Sequence, residues 1–172
     1  MLKKLIPEEP KKDHCGAPIF MTEDIDTNPN MMVLIQGTGD VRAGIWAWSV
    51  CMNDKMSLGS VFPQLDYARK RGYSVIVFNP NYSWDENGVG VDPKVWGMDR
   101  HSLFAWDAYV KESKAENIFM IAHSAGGGWS GGARHRHARI GGAGLHRAGG
   151  QRRPGGAARG RGPTWPADWP VA

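Results

Sequence analysis

The sequence predicts an α/β fold built on a parallel sheet, and three observations carry this prediction. Three short runs are apolar at nearly every position, which is typical of strands covered on both faces. The stretches between these runs have the length and the end signals of helices. Strand and helix therefore alternate, as they do where right-handed crossovers connect parallel strands. The three runs are 31–35, 73–78 and 117–122.

Before the first run, the chain divides into an arm and a strand. Residues 1–15 are rich in charge and proline, so we expect a flexible arm. Residues 17–21 are apolar and predict an edge strand, and the polar segment 24–30 after them predicts a turn. Further along, the segment 82–98 is rich in glycine, asparagine and aspartate, which predicts a surface loop.

Two helices are predicted between the apolar runs. The first covers residues 59–71 and ends in two cations followed by Gly72, which is a common helix stop. The second covers residues 99–114, with Asp99 as its capping residue and an apolar face at helical spacing. His101 lies near the start of this second helix, where we expect it to be solvated and not to bind a metal.

Charge is distributed unevenly along the chain. Residues 1–128 carry 13 Lys and Arg against 16 Asp and Glu, a net charge of −3. Residues 129–172 carry 8 Arg against the single acid Asp168, a net charge of +7. The basic character of the sequence therefore belongs to its C-terminal segment, and the remainder gives no sign of a nucleic-acid or anionic-membrane surface.

The cysteines and the first residues bear on the compartment. Cys15 and Cys51 lack the C-x-x-C spacing of metal and redox motifs, so we expect free thiols in a reducing compartment. The N-terminus lacks the apolar stretch of a signal peptide, and the run 31–35 is far too short to cross a bilayer. We expect a protein of the nucleus or cytoplasm that is not secreted and has no transmembrane segment.

The third apolar run leads directly into a motif with chemical content, Ala122-His123-Ser124-Ala125-Gly126. In α/β hydrolases the nucleophilic serine lies on a tight turn between a strand and a helix, and the positions two before and two after it must be small. Ala122 and Gly126 meet this demand. Ser124 is therefore the candidate nucleophile. The alternative is that a turn of small residues only starts a helix and lets it pack closely.

Backbone amides are the candidates for stabilising an oxyanion beside Ser124. The amide of Ala125 lies at the start of the predicted helix, where free amides and the helix dipole favour negative charge. A second donor should come from the loop after an earlier strand, where Gly37 and Thr38 are the candidates. A dinucleotide site is not expected, because Arg42 stands where the third glycine of that fingerprint should be.

The remaining members of a serine-hydrolase triad cannot be assigned. In this fold the chain order is serine, then an acid, then a histidine. After Ser124 the only carboxylate is that of Asp168, and three histidines precede it, namely His135, His137 and His146. We therefore expect no catalytic turnover from this chain, and we expect neither a cofactor nor a metal site.

Four blocks of the sequence resemble the Arb-two domain family, which includes the argonaute small-RNA chaperone subunit and a family of cotranscriptional regulators. The most specific pieces are Val41-Arg42-Ala43-Gly44-x-Trp46 and Ala122-His123-Ser124-x-Gly126-Gly127. The blocks follow the family's order within residues 17–128. They are 36–46, 71–81, 105–107 and 115–127.

This resemblance implies an α/β-hydrolase-like domain at residues 16–128, which form the N-terminal half of such a parallel sheet. It implies a non-catalytic nuclear protein in small-RNA-directed heterochromatin formation, gene silencing and co-transcriptional regulation, with argonaute, small RNA or chromatin machinery as partners. The alternative is an esterase-like serine hydrolase with Ser124 as nucleophile, truncated and inactive in this chain. The sequence departs from the family at Gln36, where members often have histidine.

Residues 129–172 have a composition unlike the rest of the chain. Gly, Ala, Arg and Pro make up 31 of these 44 residues, so we expect a disordered tail that cannot form a core. It could be an arginine/glycine-rich segment that contacts RNA weakly, or a metal site at its three histidines. We favour out-of-frame translation of GC-rich DNA, because the composition changes abruptly after Gly128.

Overall fold

The structure is a computed structural model that describes residues 1–128 and 146–148. Its centre is a six-stranded sheet in the order β1-β2-β4-β3-β5-β6. The strands are β1 (Leu2–Ile6), β2 (Ala17–Met21), β3 (Asn30–Ile35), β4 (Ser74–Val77), β5 (Asn117–His123) and β6 (His146–Ala148).

The helices lie mainly in the connections between strands. They are α1 (Trp48–Asn53), α2 (Met56–Gly59), α3 (Phe62–Arg71) and α4 (Met98–Ala105), and α4 continues into a π-helical turn at Trp106–Val110. Residues 125–128 are also helical. In the part of the chain that the structure describes, no helix is long and apolar enough to cross a membrane.

The three apolar runs form the parallel centre of the sheet, as predicted. Strand β3 pairs in parallel with β4 on one side and with β5 on the other. The register with β5 extends over six residue pairs, from Asn30 opposite Asn117 to Ile35 opposite Ala122. The α/β fold class is therefore confirmed, and the carboxyl ends of β3, β4 and β5 meet at one edge of the sheet.

Two apolar clusters cover the two faces of this sheet, and alternate residues of β3 contribute to each. Met31, Val33 and Ile35 belong to the cluster that α4 and the π-helical turn cover. Met32 and Leu34 belong to the cluster that α3 and Trp46 cover. All five of these β3 side chains are fully buried. This double cover explains why the run is apolar at every position.

The N-terminal segment differs from the flexible arm expected for residues 1–15. Strand β1 pairs antiparallel with β2 over five residue pairs, and Ile6 at its end is fully buried. The backbone amide of Lys11 also donates to a carboxylate oxygen of Asp92 at 2.7 Å. Strand pairing needs only backbone groups, so charged side chains do not prevent it. As a result, β2 is not the edge strand that the sequence predicts, because β1 lies outside it.

Asp92 anchors this segment from the loop before α4. Burial by itself raises the pKa of its carboxyl, but the backbone amides of Lys11 and Lys94 donate to the carboxylate and hold the pKa below its ordinary value. The loop predicted at 82–98 is confirmed up to Gly97, and α4 begins at Met98.

Both predicted helices have wrong boundaries. The first begins at Phe62, three residues later than predicted, because Gly59 ends the separate helix α2; Gly72 ends α3 as predicted, with the left-handed φ of +69° that favours glycine. The second begins at Met98, so Asp99 lies within its first turn and does not cap it. It ends at Val110, whose carbonyl accepts the Ser113 hydroxyl at 2.7 Å.

Strand β5 is less buried than the apolar run at 117–122 predicts. Met120 and Ala122 are 4% exposed, whereas Ile118, Phe119 and Ile121 are half-buried. One side of β5 is paired with β3, and on the other side β6 pairs with only three of its residues, Ile121 to His123. Apart from β6, the predictions for residues 129–172 (disorder, RNA contact, a metal site or out-of-frame origin) lie outside the described residues.

Candidate functional site

Ser124 lies on a tight turn directly after β5. Its φ is +51°, a left-handed conformation that residues with a side chain rarely adopt. Residues 125–128 follow as a helix, and the Gly127 amide donates to the Ser124 carbonyl at 3.0 Å. Ser124 and Ala125 are both exposed. The strand, turn and helix of a hydrolase-like elbow are therefore present, and strain of this kind is often found at functional sites.

The elbow packs closely against the carboxyl end of β3. A Cβ atom on Gly126 would lie 2.8 Å from the Gln36 carbonyl oxygen and 3.0 Å from that of Ile35. Real side chains essentially never come so close to backbone atoms, so only glycine fits without a shift. The small residue that the motif demands two positions after the serine thus has a direct steric reason.

The loop after β3 passes beside the elbow serine. A Cβ atom on Gly37 would lie 2.9 Å from the Ser124 Cβ and 3.2 Å from Nδ1 of His123. Gly37 is buried, and the next residue, Thr38, is exposed. The structure thus places Gly37 against Ser124, with Thr38 next in the loop and Ala125 at the start of the helix.

Two asparagines after β4 hold this loop. The Asn81 side chain donates to the carbonyls of Gly37 at 2.7 Å and Val41 at 3.0 Å. The Asn79 side-chain oxygen accepts the Ala43 amide at 2.9 Å, and Gln36 donates to the same oxygen at 3.4 Å. The shape of the loop beside Ser124 therefore depends on side chains that lie about 40 residues further along the chain.

His101 holds the backbone of Asn79 in place, and it is not the solvated residue that we expected. It is fully buried, and its Nε2 accepts the backbone amide of Asn79 at 2.9 Å. Burial lowers the pKa of His101 to about 3, so the ring is neutral at neutral pH. Its position on α4 turns it toward the end of β4, where its ring contacts Phe78 edge-on at 6.1 Å between centroids.

His123 precedes the elbow serine and lies partly buried between the loop and Trp46. The centroids of the His123 and Trp46 rings are 6.2 Å apart, at an interplanar angle of 45°. Within residues 1–128, the buried Nδ1 of His123 has no hydrogen-bond partner. No group of three or more His, Cys, Asp or Glu side chains among the described residues is placed to hold a metal ion.

The sequence prediction missed the asparagines, although a signal was present. Asn79 and Asn81 come directly after a buried run, at the same sheet edge where the elbow follows another. Carboxyl ends of parallel strands form the ligand-binding edge of open α/β sheets, so polar residues there warrant attention. Gln36 departs from the family pattern, and nothing in the adjacent sequence predicts its contact with Asn79.

The sheet, which is parallel from β4 to β6 and has β1 and β2 added antiparallel, defines an α/β-hydrolase-like domain together with the strained serine after β5 and the glycine loop beside it. A family model described as the Arb2 domain matches residues 1–96, which is more than half of the chain. The chain belongs to the Arb2 domain family, as the sequence resemblance predicted. The match includes β1, and it ends before α4, so the elbow lies outside the matched segment.

The chain is also similar to curated proteins with related names. It is 33% identical over 150 residues to a cotranscriptional regulator ARB2A homolog of Dictyostelium discoideum, covering 69% of this chain and 39% of that protein. It is 30% identical over 182 residues to the human cotranscriptional regulator ARB2A, covering 73% of this chain and 43% of the human protein. The chain thus spans about two fifths of the length of these relatives.

A solved structure of the histone deacetylase Clr3 is similar over 61% of this chain and 16% of its own. The TM-score is 0.35 at 18% sequence identity.

Proposed function

We propose that this chain is a co-transcriptional regulator of the Arb2 family that acts in the nucleus by binding and not by catalytic turnover. The observation that carries the proposal is membership of the Arb2 domain family, whose model matches residues 1–96. The names of the relatives support a regulatory role. The partners would be argonaute, small RNA or chromatin machinery, with weak RNA contact through the arginines of residues 129–172.

Immunoprecipitation of the tagged full chain from nuclear extract tests this proposal. We expect argonaute or small RNA to be enriched over a tag-only control, with Ser124→Ala retaining the association because no chemistry is needed. Imaging of the tagged chain should place it in the nucleus. Absence of both partners from the precipitate, or exclusion of the chain from the nucleus, would contradict the proposal.

A serine hydrolase is the second candidate, favoured by the left-handed φ of Ser124 and the close approach of Gly37. In this function the Ser124 oxygen would bond to the carbonyl carbon of an ester, the carbonyl π electrons would move onto its oxygen, and the serine proton would pass to a base from solution. Collapse of this intermediate would break the ester C–O bond and release the alcohol, which takes up a proton. The amides of Ala125, Gly37 and Thr38 are the candidates for holding the resulting oxyanion. Ser124 would be the catalytic residue.

A fluorophosphonate probe separates the two candidates, since it labels activated serines covalently. The binding function predicts that the full chain is labelled no faster than Ser124→Ala. A Ser124 site that retains hydrolase chemistry in this chain predicts labelling that maps to Ser124 and is lost in that variant, whereas a hydrolase inactivated by truncation predicts none. An ester-hydrolysis assay on the same two proteins provides an independent measure of turnover.

A further inference from the structure

The loop from Gly37 to Val41 is held at both ends by a single side chain. The Asn81 amide nitrogen donates to the carbonyl of Gly37 at 2.7 Å and to that of Val41 at 3.0 Å. Both hydrogens of one NH₂ group are thus used on two carbonyls four residues apart. Between these ends, Thr38, Gly39 and Asp40 are exposed.

Two other contacts fix the surroundings of this loop. The Trp48 indole donates to the Asp40 carbonyl at 3.1 Å, which holds the tip of the loop. Asn79 binds the Ala43 amide beyond the loop and is itself held by His101. The exposed part of the loop is therefore short, and of these contacts it is the Asn81 bond to Gly37 that holds the residue packed against Ser124.

The orientation of one backbone amide follows from the Asn81 contact. In a trans peptide the carbonyl of one residue and the amide of the next point in opposite directions. Since the Gly37 carbonyl is turned onto Asn81, the Thr38 N–H must point away from Asn81. In residues 1–128 this N–H donates to no other backbone or side-chain group.

We propose that Asn81 is a positioning residue of the Ser124 site, which holds the Gly37–Thr38 peptide so that the Thr38 amide is presented to a carbonyl or carboxylate oxygen of a ligand at Ser124. The inference rests on the site at Ser124 named above and deepens it. In this proposal Asn81 acts by holding the loop and does not itself contact the ligand or the reacting atoms.

Backbone dynamics of the full chain with Asn81→Ala test this role. With its clamp removed, residues 38–40 should become flexible on the nanosecond timescale. We expect their amide ¹⁵N order parameters to fall from about 0.85 to below about 0.6. If the wild-type chain is labelled by the fluorophosphonate, labelling of Ser124 in the variant should slow by about tenfold or more.

Asn28→Ala is the matched control. The Asn28 side chain also donates twice, to Asp24 at 2.7 Å and to the Gly72 carbonyl at 3.0 Å, but it lies next to β3 at the opposite end of the sheet from Ser124. We expect this variant to lose similar stability and to leave residues 38–40 rigid. Asn81→Asp, which keeps the size but loses the donors, is a second variant in case the alanine change impairs folding.

The order parameters test the positioning role of Asn81, and fluorophosphonate labelling tests the second candidate function, so failure of one can be told from failure of the other. Order parameters of residues 38–40 that stay near about 0.85 in both Asn81 variants would overturn the positioning role. Loop loosening in a chain that the probe never labels would reject the hydrolase and would reduce Asn81 to a structural clamp of the loop, which overturns its role toward a ligand. Loosening of the loop in Asn28→Ala as well would also overturn the role, because the effect would not be specific to Asn81.

Discussion

The turn at Ser124 has a free-energy cost that its neighbours must offset. A serine at a φ of +51° is destabilised by about 1 kcal/mol relative to an ordinary conformation. The elbow is packed against the end of β3 at Gly126 and against the loop at Gly37, and the Gly127 amide donates to the Ser124 carbonyl. The turn at Ser124 therefore needs glycine at positions 37 and 126, where a Cβ atom would come too close to neighbouring atoms.

Adding one methyl group at Gly126 should destabilise the protein. We expect Gly126→Ala to lower the free energy of unfolding by about 1–3 kcal/mol, because the new Cβ overlaps the carbonyl oxygens of Gln36 and Ile35. Gly127→Ala is the control, since a Cβ there meets no atom within 4 Å. It should be neutral or slightly stabilising, because alanine favours helix. Urea unfolding of both variants measures the difference, and equal stabilities would contradict the packing.

Substitutions of the serine itself should reveal the backbone strain. Ser124→Gly should be more stable than Ser124→Ala by about 1 kcal/mol, because glycine adopts a φ of +51° without a steric penalty. Both variants lack the hydroxyl, so the difference isolates the backbone. Thermal unfolding gives the comparison. An alanine variant at least as stable as the glycine variant would show that the turn is not strained.

The elbow could be predicted from sequence because its demands are local. A strand, a serine and small residues at fixed positions lie within nine residues, 118–126. The roles of Asn81 and His101 could not be predicted in this way. Their partners are 40 and 22 residues away, and nothing in the adjacent sequence states which backbone groups they meet.

At the scale of elements, the clearest difference between expectation and structure is β1. Its sequence, Leu-Lys-Lys-Leu-Ile, has the composition of an exposed arm, and only the last residue is buried. A strand needs backbone partners, which β2 supplies, and lysines are common on exposed sheet edges. Composition therefore could not separate an arm from an edge strand. The helix boundaries were missed for a related reason, because packing decides where a helix stops.

The last residue of β1 should contribute strongly to stability. Ile6→Ala should lower the free energy of unfolding by about 2–5 kcal/mol, because the fully buried side chain leaves a cavity in the core. Leu5→Ala is the matched control, because Leu5 is 44% exposed. It should cost less than about 1 kcal/mol. Denaturant titration of both proteins decides, and a flexible arm would give no effect at either position.

For the whole molecule, the sheet separates two apolar clusters, and the polar groups of the candidate site lie at one edge of it. His101 is a titratable side chain fully enclosed at this edge, where it accepts the Asn79 amide. Protonation would remove that acceptor and place a charge among apolar groups. The stability of the domain is thereby coupled to pH.

The direction of this coupling follows from the pKa of His101. The pKa is about 3 in the folded protein and about 6.5 when unfolded, so only the unfolded chain binds the proton between these values. The stabilisation is complete above the unfolded pKa and is lost as pH falls toward the folded pKa. Between pH 7 and pH 5 we expect a loss of about 2 kcal/mol from this residue.

His101→Gln provides the comparison, because its amide oxygen can still accept the Asn79 N–H and it does not titrate. Its stability should fall less between pH 7 and pH 5 than that of the wild-type protein, as measured by urea unfolding. All other histidines are present in both proteins, so their contributions cancel. An identical pH dependence of the two would contradict the burial of a neutral ring.

Strand β1 has a practical consequence for recombinant work. It begins at Leu2 and is an end strand of the sheet, and among the described residues no strand pairs with its outer side. An affinity tag fused directly before Met1 could extend strand β1 at the edge of the sheet. A tag rich in β-branched residues would then promote edge-to-edge association of neighbouring copies. A glycine- and serine-rich spacer interrupts this continuation and keeps the protease site of the tag accessible.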